Sequence, residues 1–151
     1  MKKEEIERLG RKSWLIRFVA MPPRELTMEI ARRRGAQWYR MPSGRYLLTR
    51  DFGDSFVPGA QRVDWPDTPP ADYLLDADTF PDWGRDANAA IALALELREQ
   101  FGDPYRLSME TDEEGNRRWL ALFRKSHAYA WGDTPAEALC RAYLLAYEMA
   151  L

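Results

Sequence analysis

The sequence predicts an α+β fold: a layered α/β/α sandwich in which helices flank a mainly antiparallel sheet. Two observations carry this expectation. Helical periodicity bounded by capping residues recurs around residues 22–34, 86–101 and 134–150. Between these stretches lie short runs rich in aromatic and branched residues, turned back by glycine-containing loops of hairpin length. A chain of 151 residues is one ordinary domain, 1–151, able to bury roughly two-thirds of its unfolded surface without staples.

Residues 3–9 suit a short helix, with Ile6 and Leu9 three apart and Gly10 ending it. The run Ser13-Trp14-Leu15-Ile16-Arg17-Phe18-Val19 reads as a strand on its aromatic and branched content. Pro22-Pro23 stops it and opens a helix to about Arg34, with Leu26 and Ile30 on one face and Gly35 as cap. Residues 38–41 and 45–49 form a hairpin around Pro42-Ser43-Gly44.

Residues 51–82 read as an inserted acidic loop, with five prolines and eight aspartates. Connections of this length without structure of their own tend to be functional or mobile. Phe52, Phe56, Trp65, Tyr73 and Phe80 argue against full disorder, because solvated linkers seldom keep so many aromatics.

The alanine-rich run from Ala87 to Arg98 is the clearest helix, capped by Asp86 and closed by Gly102, and its thin face suits close approach to a sheet. Tyr105, Leu107 and Met109 alternate with Arg106, Ser108 and Glu110, which predicts a half-buried strand over 105–111. Gly115-Asn116 turns the chain into a second strand, 117–124, and Ala128-Tyr129-Ala130-Trp131 supplies a third. Thr134 and Glu137 form a capping box around Pro135, and Ala138, Ala142, Leu145 and Met149 make the buried stripe of the last helix.

The formal net charge of -2 is a cancellation. Residues 1–50 hold 13 basic and 5 acidic side chains, whereas 51–82 hold eight Asp and only Arg62. Such polarity suits solubility and the steering of a charged partner.

The single cysteine, Cys140, excludes an intramolecular disulfide and multi-cysteine metal sites, and the single histidine, His127, excludes imidazole clusters. His127 is the one candidate for an imidazole base, but no nucleophile or orienting group is fixed beside it, so no catalytic residue is assigned. Cys140 suits burial within the last helix. Asp76 and Asp78 with Asp82, or Asp51 with Asp54, present oxygens for a hard cation, yet lack the calcium-loop pattern, so no metal or cofactor is assigned. Arg32, Arg33 and Arg34 form a basic patch, with Trp38 and Tyr39 available to stack on bases. A helix C-terminus favours cations without any ligand, and the acidic isoelectric point runs against direct nucleic-acid binding. Trp65 and Trp83, in and beside the acidic loop, are the better placed tryptophans for contact with a partner. No apolar run is long enough to span a bilayer and the N-terminus lacks a signal peptide pattern, so the expected location is the cytoplasm.

Three segments resemble the phage ABA sandwich domain, a family encoded by bacteriophages and prophages. They are Arg24-Glu25-Leu26-Thr27-Met28-Glu29-Ile30-Ala31 leading to Gly35 and Trp38, then Pro81-Asp82-Trp83-Gly84-Arg85-Asp86-Ala87-Asn88-Ala89-Ala90, and finally Thr134-Pro135-Ala136-Glu137-Ala138-Leu139-Cys140-Arg141-Ala142. The last is similar to the family's closing Thr-Ala-Pro…Cys-Arg-Ala helix. Against that pattern, residues 1–20 are an added N-terminal element and the loop 51–82 is longer than required. The resemblance implies helix layers about a central sheet and a phage or prophage origin, and it brings no catalytic residues.

Together these readings lead to an expectation of a non-enzymatic phage accessory protein that binds a host protein with a basic surface. An inhibitor of host anti-phage defence is its most specific form, because aspartate-rich surfaces imitate a phosphate backbone. The expected contact residues are Asp64, Trp65, Asp67, Asp72, Tyr73, Asp76 and Asp78. The rivals are a small enzyme or ligand-binding protein using His127 or the loop aspartates, and a nucleic-acid binder using Arg32, Arg33 and Arg34.

Overall fold

The computed structural model describes residues 18–52, 58–67, 70 and 72–150. The expected helix at 3–9 and residues 13–17 of the expected first strand lie outside the described residues. Residues 18–20 form one 3₁₀ turn in place of a strand end. Among the described residues the fold is α+β, as expected, with three helices and two mostly antiparallel sheets. The chain forms two compact units: unit 1 comprises residues 1–26 and 83–151, and unit 2 comprises residues 27–82.

Helix α1, Pro23–Arg33, contains the division. Proline at its first position sacrifices no helical hydrogen bond, Glu25 lies in its first turn, and Arg32 and Arg33 occupy its last. Leu26 and Ile30, one turn apart, are both fully buried.

In unit 1, helices α2, Ala87–Phe101, and α3, Pro135–Ala150, accompany strands β5, Tyr105–Thr111, β6, Arg117–Phe123, and β7, Tyr129–Gly132. The strands lie in the order β5-β6-β7, antiparallel throughout. Register sets Leu107 opposite Ala121, Ala121 opposite Ala130 and Trp119 opposite Gly132, so small residues stand on β6 and β7 within one sheet face. Helix α3 lies on β6 and β7 and α2 packs beside it. Ala90, Ala94, Ala138, Ala142 and Ala146, all buried, permit this closeness. Gly132 shows how tight it is, since a Cβ there would stand 2.5 Å from the Ala138 nitrogen.

The caps follow the sequence closely. Asp86 accepts hydrogen bonds from the backbone N–H groups of Asn88 and Ala89, and Gly102, in the left-handed conformation, donates to the Arg98 carbonyl. Thr134 Oγ1 accepts from the Glu137 N–H, while the Glu137 carboxylate accepts from the Asp133 N–H. Buried Arg141 donates to the Met21 carbonyl through Nε and Nη2 and to the Trp131 carbonyl through Nη1, tying α3 to the chain on two sides. Burial pushes this guanidinium below the ordinary arginine value, and neighbouring Glu137 opposes that shift.

In unit 2, strands β1, Ala36–Arg40, and β2, Tyr46–Arg50, form the expected hairpin. Two further strands, β3, Gln61–Val63, and β4, Leu74–Leu75, arise inside the segment expected to be an irregular loop. The order is β3-β1-β2-β4, with β3 antiparallel to β1 and β4 parallel to β2. Residues 61–63 and 74–75 are therefore part of the sheet's framework, and these short strands protect both edges of the hairpin.

Candidate functional site

A cleft of about 210 Å³ opens in unit 2, lined by Trp38, Tyr46, Val63, Asp64, Pro66 and Pro70. Strand register explains how it is assembled. Trp38 stands opposite both Leu48 and Val63, and Tyr46 opposite Arg40, so Trp38, Val63 and Tyr46 share one face of the sheet. The chain after β3 then supplies Asp64, Pro66 and Pro70.

Trp38 is the centre of an aromatic cluster. Its ring meets Tyr73 at 5.1 Å, Trp65 at 5.6 Å and Tyr46 at 6.4 Å, all edge to face. The Arg32 guanidinium lies over Trp65, 5.3 Å from the ring centroid. The indole is fully buried, and among the described residues its Nε1–H is the one buried side-chain polar atom without a hydrogen-bond partner. Leaving such a donor unmade costs about 1–3 kcal/mol. The sequence places Trp38 as ordinary strand core; the structure makes it core and cleft lining together.

The expected contact residues take several different roles. Asp64 and Trp65 are adjacent to or part of the cleft, Asp64 exposed and Trp65 half-buried. Asp67 and Asp78 are exposed, and so is Asp72, which pairs with Arg45 at 3.3 Å. Tyr73 requires a correction: it is only 3% exposed, because its ring packs against Trp38, so it serves the interior of unit 2. Trp83, only 4% exposed, is likewise interior.

Asp76 also differs from expectation. It accepts hydrogen bonds from the Thr49 and Thr79 hydroxyls, each at 2.7 Å, and from the Asp78 N–H. These bonds, that of Thr49 foremost, hold its carboxyl below the ordinary aspartate value. Its oxygens are committed to the turn after β4. Asp82 accepts from the Thr27 hydroxyl, and Asp51 pairs with Arg62. Among the described residues no group of three or more His, Cys, Asp or Glu is arranged to hold a metal.

The arginine patch is divided. Arg33 bonds the Glu29 carboxylate at 2.8 Å, Arg32 covers Trp65, and Arg34 is exposed. His127 is exposed in the turn before β7 with φ at 60°, a left-handed position. Cys140 is buried, its Sγ 3.1 Å from the Trp83 carbonyl oxygen.

Sequence reasoning missed Tyr46, Val63, Pro66 and Pro70 as cleft residues. Pro66 and Pro70 lie in the proline-rich part of the acidic segment, but the pairing of β3 with β1 that brings them to Trp38 is a long-range contact.

No protein-family model, curated protein or solved structure matches the chain. Among the described residues, no helix is long and apolar enough to cross a membrane.

Proposed function

We propose that this protein acts by binding a partner protein with a basic surface, and that unit 2 makes the contact through the cleft and the aspartates around it. The observation that carries this reading is an aromatic-walled cleft with a carboxylate in its lining, set in the most acidic segment of the chain. Clefts with apolar walls and few polar groups are the usual form of a recognition site. Asp64, Asp67 and Asp78 are exposed and steer a cationic surface toward it.

The resemblance to the phage ABA sandwich family supports a finer version. On that reading the protein is a phage or prophage accessory factor working in the host cytoplasm, and its partner is a host protein. A defence component with a nucleic-acid groove lined by Arg and Lys fits best, since exposed carboxylates compete for such a groove.

Affinity capture from a bacterial host lysate, followed by binding of the purified captured protein at increasing salt, tests the reading. Wild type is compared with the Asp64→Asn, Asp67→Asn, Asp78→Asn triple variant. The variant should bind at least about fivefold more weakly at low salt, with the gap closing as the Debye length falls from about 10 Å at 0.1 M to about 3 Å at 1 M. Equal affinity of the two proteins at low salt overturns it.

A further inference from the structure

We propose that the edge of β5 facing away from β6 is a self-association surface. A second copy of this chain pairs its own β5 there, antiparallel, about a two-fold axis at Ser108. The surface is independent of the proposed contact, since β5 belongs to unit 1.

The first observation is an open edge. In the order β5-β6-β7, β5 pairs with β6 along one side, and among the described residues no strand pairs with the other. β5 spans seven residues, whereas the other outer strands, β3, β4 and β7, span three, two and four. Edges are ordinarily kept from pairing with other chains by shortness, proline, lysine or a bulge. β5 contains neither proline nor lysine, and its register runs unbroken from Tyr105 opposite Phe123 to Thr111 opposite Arg117.

The second is the direction of its backbone. The Arg124 N–H donates to the Pro104 carbonyl, and the Asp112 N–H donates to the Asn116 carbonyl. Residues 104 and 112 therefore turn their polar groups toward β6, and alternation along the strand gives the same direction to 106, 108 and 110. The N–H and C=O groups of Tyr105, Leu107, Met109 and Thr111 point the other way, where a second strand would meet them.

The third is that β5 is complementary to its own reverse. With Ser108 opposite Ser108 of the second copy, all seven residues are paired. Leu107 meets Met109 of the second copy and Tyr105 meets Thr111, each as a hydrogen-bonded pair. Met109, at 39% one of three exposed large apolar side chains among the described residues, thereby gains an apolar neighbour. Exposed Arg106 falls opposite Glu110 of the second copy in a non-hydrogen-bonded pair, where side chains lie closest. Ser108 is small enough to stand at the axis, and its hydroxyl donates to the Glu110 carboxylate at 3.0 Å. Moving the axis to Leu107 or Met109 shortens the pairing and takes Arg106 away from Glu110.

Sedimentation equilibrium of the full chain over a concentration series tests the proposal. Wild type should approach twice the chain mass of 17.6 kDa. Arg106→Glu and Glu110→Arg each set like charges opposite one another at two places, and each should weaken the dimer about fivefold or more. The double variant, Arg106→Glu with Glu110→Arg, should return to within about twofold of wild type. Positions 106 and 110 lie about 13 Å apart along one strand, so this recovery reads a contact between copies. Met109→Pro removes a donor that points away from β6, and circular dichroism should show a folded monomer.

A wild type that stays monomeric across the series overturns the proposal and leaves the edge to a strand of another protein. Charge variants that dimerise as wild type does, or a double variant no better than the single ones, also overturn it. So does a folded Met109→Pro that still dimerises, because association then uses another surface. Where Met109→Pro does not fold, the charge series decides.

Discussion

Units 1 and 2 solve the burial problem with opposite materials. Unit 1 packs two helices on a three-stranded sheet with alanine and glycine at the contacts, so backbones approach closely. Its buried polar groups are used: Arg141 donates to two carbonyls and Asp103 accepts from the Lys125 and Ser126 N–H groups. Unit 2 gathers four large aromatic residues about one small sheet. Rings at 69° to 88° to one another fill space less evenly, and a cleft and an unpaired indole N–H remain. The difference teaches that close packing of small residues and edge-to-face packing of large rings leave different surfaces behind, and on the proposed function the second is the one that meets a partner.

The largest effect should come from breaking the close packing. A Cβ at Gly84 would lie 2.1 Å from the Pro23 carbonyl oxygen, a backbone contact that no side-chain rotation relieves. Gly84→Ala should cost about 3 kcal/mol or more, at or beyond the upper end for overpacking. Ala90→Asp and Ala142→Asp should abolish the folded state of unit 1, because each puts an unpaired carboxylate at a site no more than 1% exposed. Urea unfolding followed by circular dichroism measures both, and a wild-type midpoint for Gly84→Ala would mean that the contact between residues 23 and 84 is looser than described.

A smaller effect should follow in unit 2 from Asp76. Its pKa is lowered in the folded protein, so the stability it contributes is present above the unfolded value of about 3.9 and is lost as pH falls through the folded value. Asp76→Asn should be destabilised by about 1–2 kcal/mol at pH 7, from weakened bonds to the Thr49 and Thr79 hydroxyls. The deficit should shrink as pH is taken from 5 toward 3. A deficit constant across that range would show that the carboxylate charge contributes nothing.

The same contrast explains what could be seen in the sequence. Unit 1 was legible because its signals are local. Asp86 and Gly102 cap α2, Thr134 and Glu137 cap α3, and the alternation at Tyr105, Leu107 and Met109 marks β5. The cleft was not legible, because Trp38 meets Val63 and Trp65 only through a three-residue strand. That strand has no periodicity of its own to announce it. Tyr73 was misjudged for a related reason: composition marks it as an aromatic in an acidic stretch, and only the tertiary fold turns its ring toward Trp38. Asp76 looked like its neighbours, and only its hydroxyl partners on β2 and in the following turn set it apart.

The smallest effect concerns His127, whose φ of 60° places a residue with a Cβ in the left-handed region. That conformation costs a non-glycine residue about 1–2 kcal/mol, while glycine adds about 0.5–1 kcal/mol of unfolded-chain entropy that must be lost on folding. His127→Gly should therefore be more stable than His127→Ala by about 0.5 kcal/mol, because both remove the imidazole and only alanine keeps a Cβ in the left-handed region. Neither change should alter binding of the captured partner, since the proposed contact lies in unit 2 and His127 belongs to unit 1. Thermal unfolding and the same binding assay measure the two quantities on the same samples. Loss of binding in a variant with unchanged or raised melting temperature would assign the imidazole a direct role, and would move the functional centre from the aromatic cleft to the turn before β7.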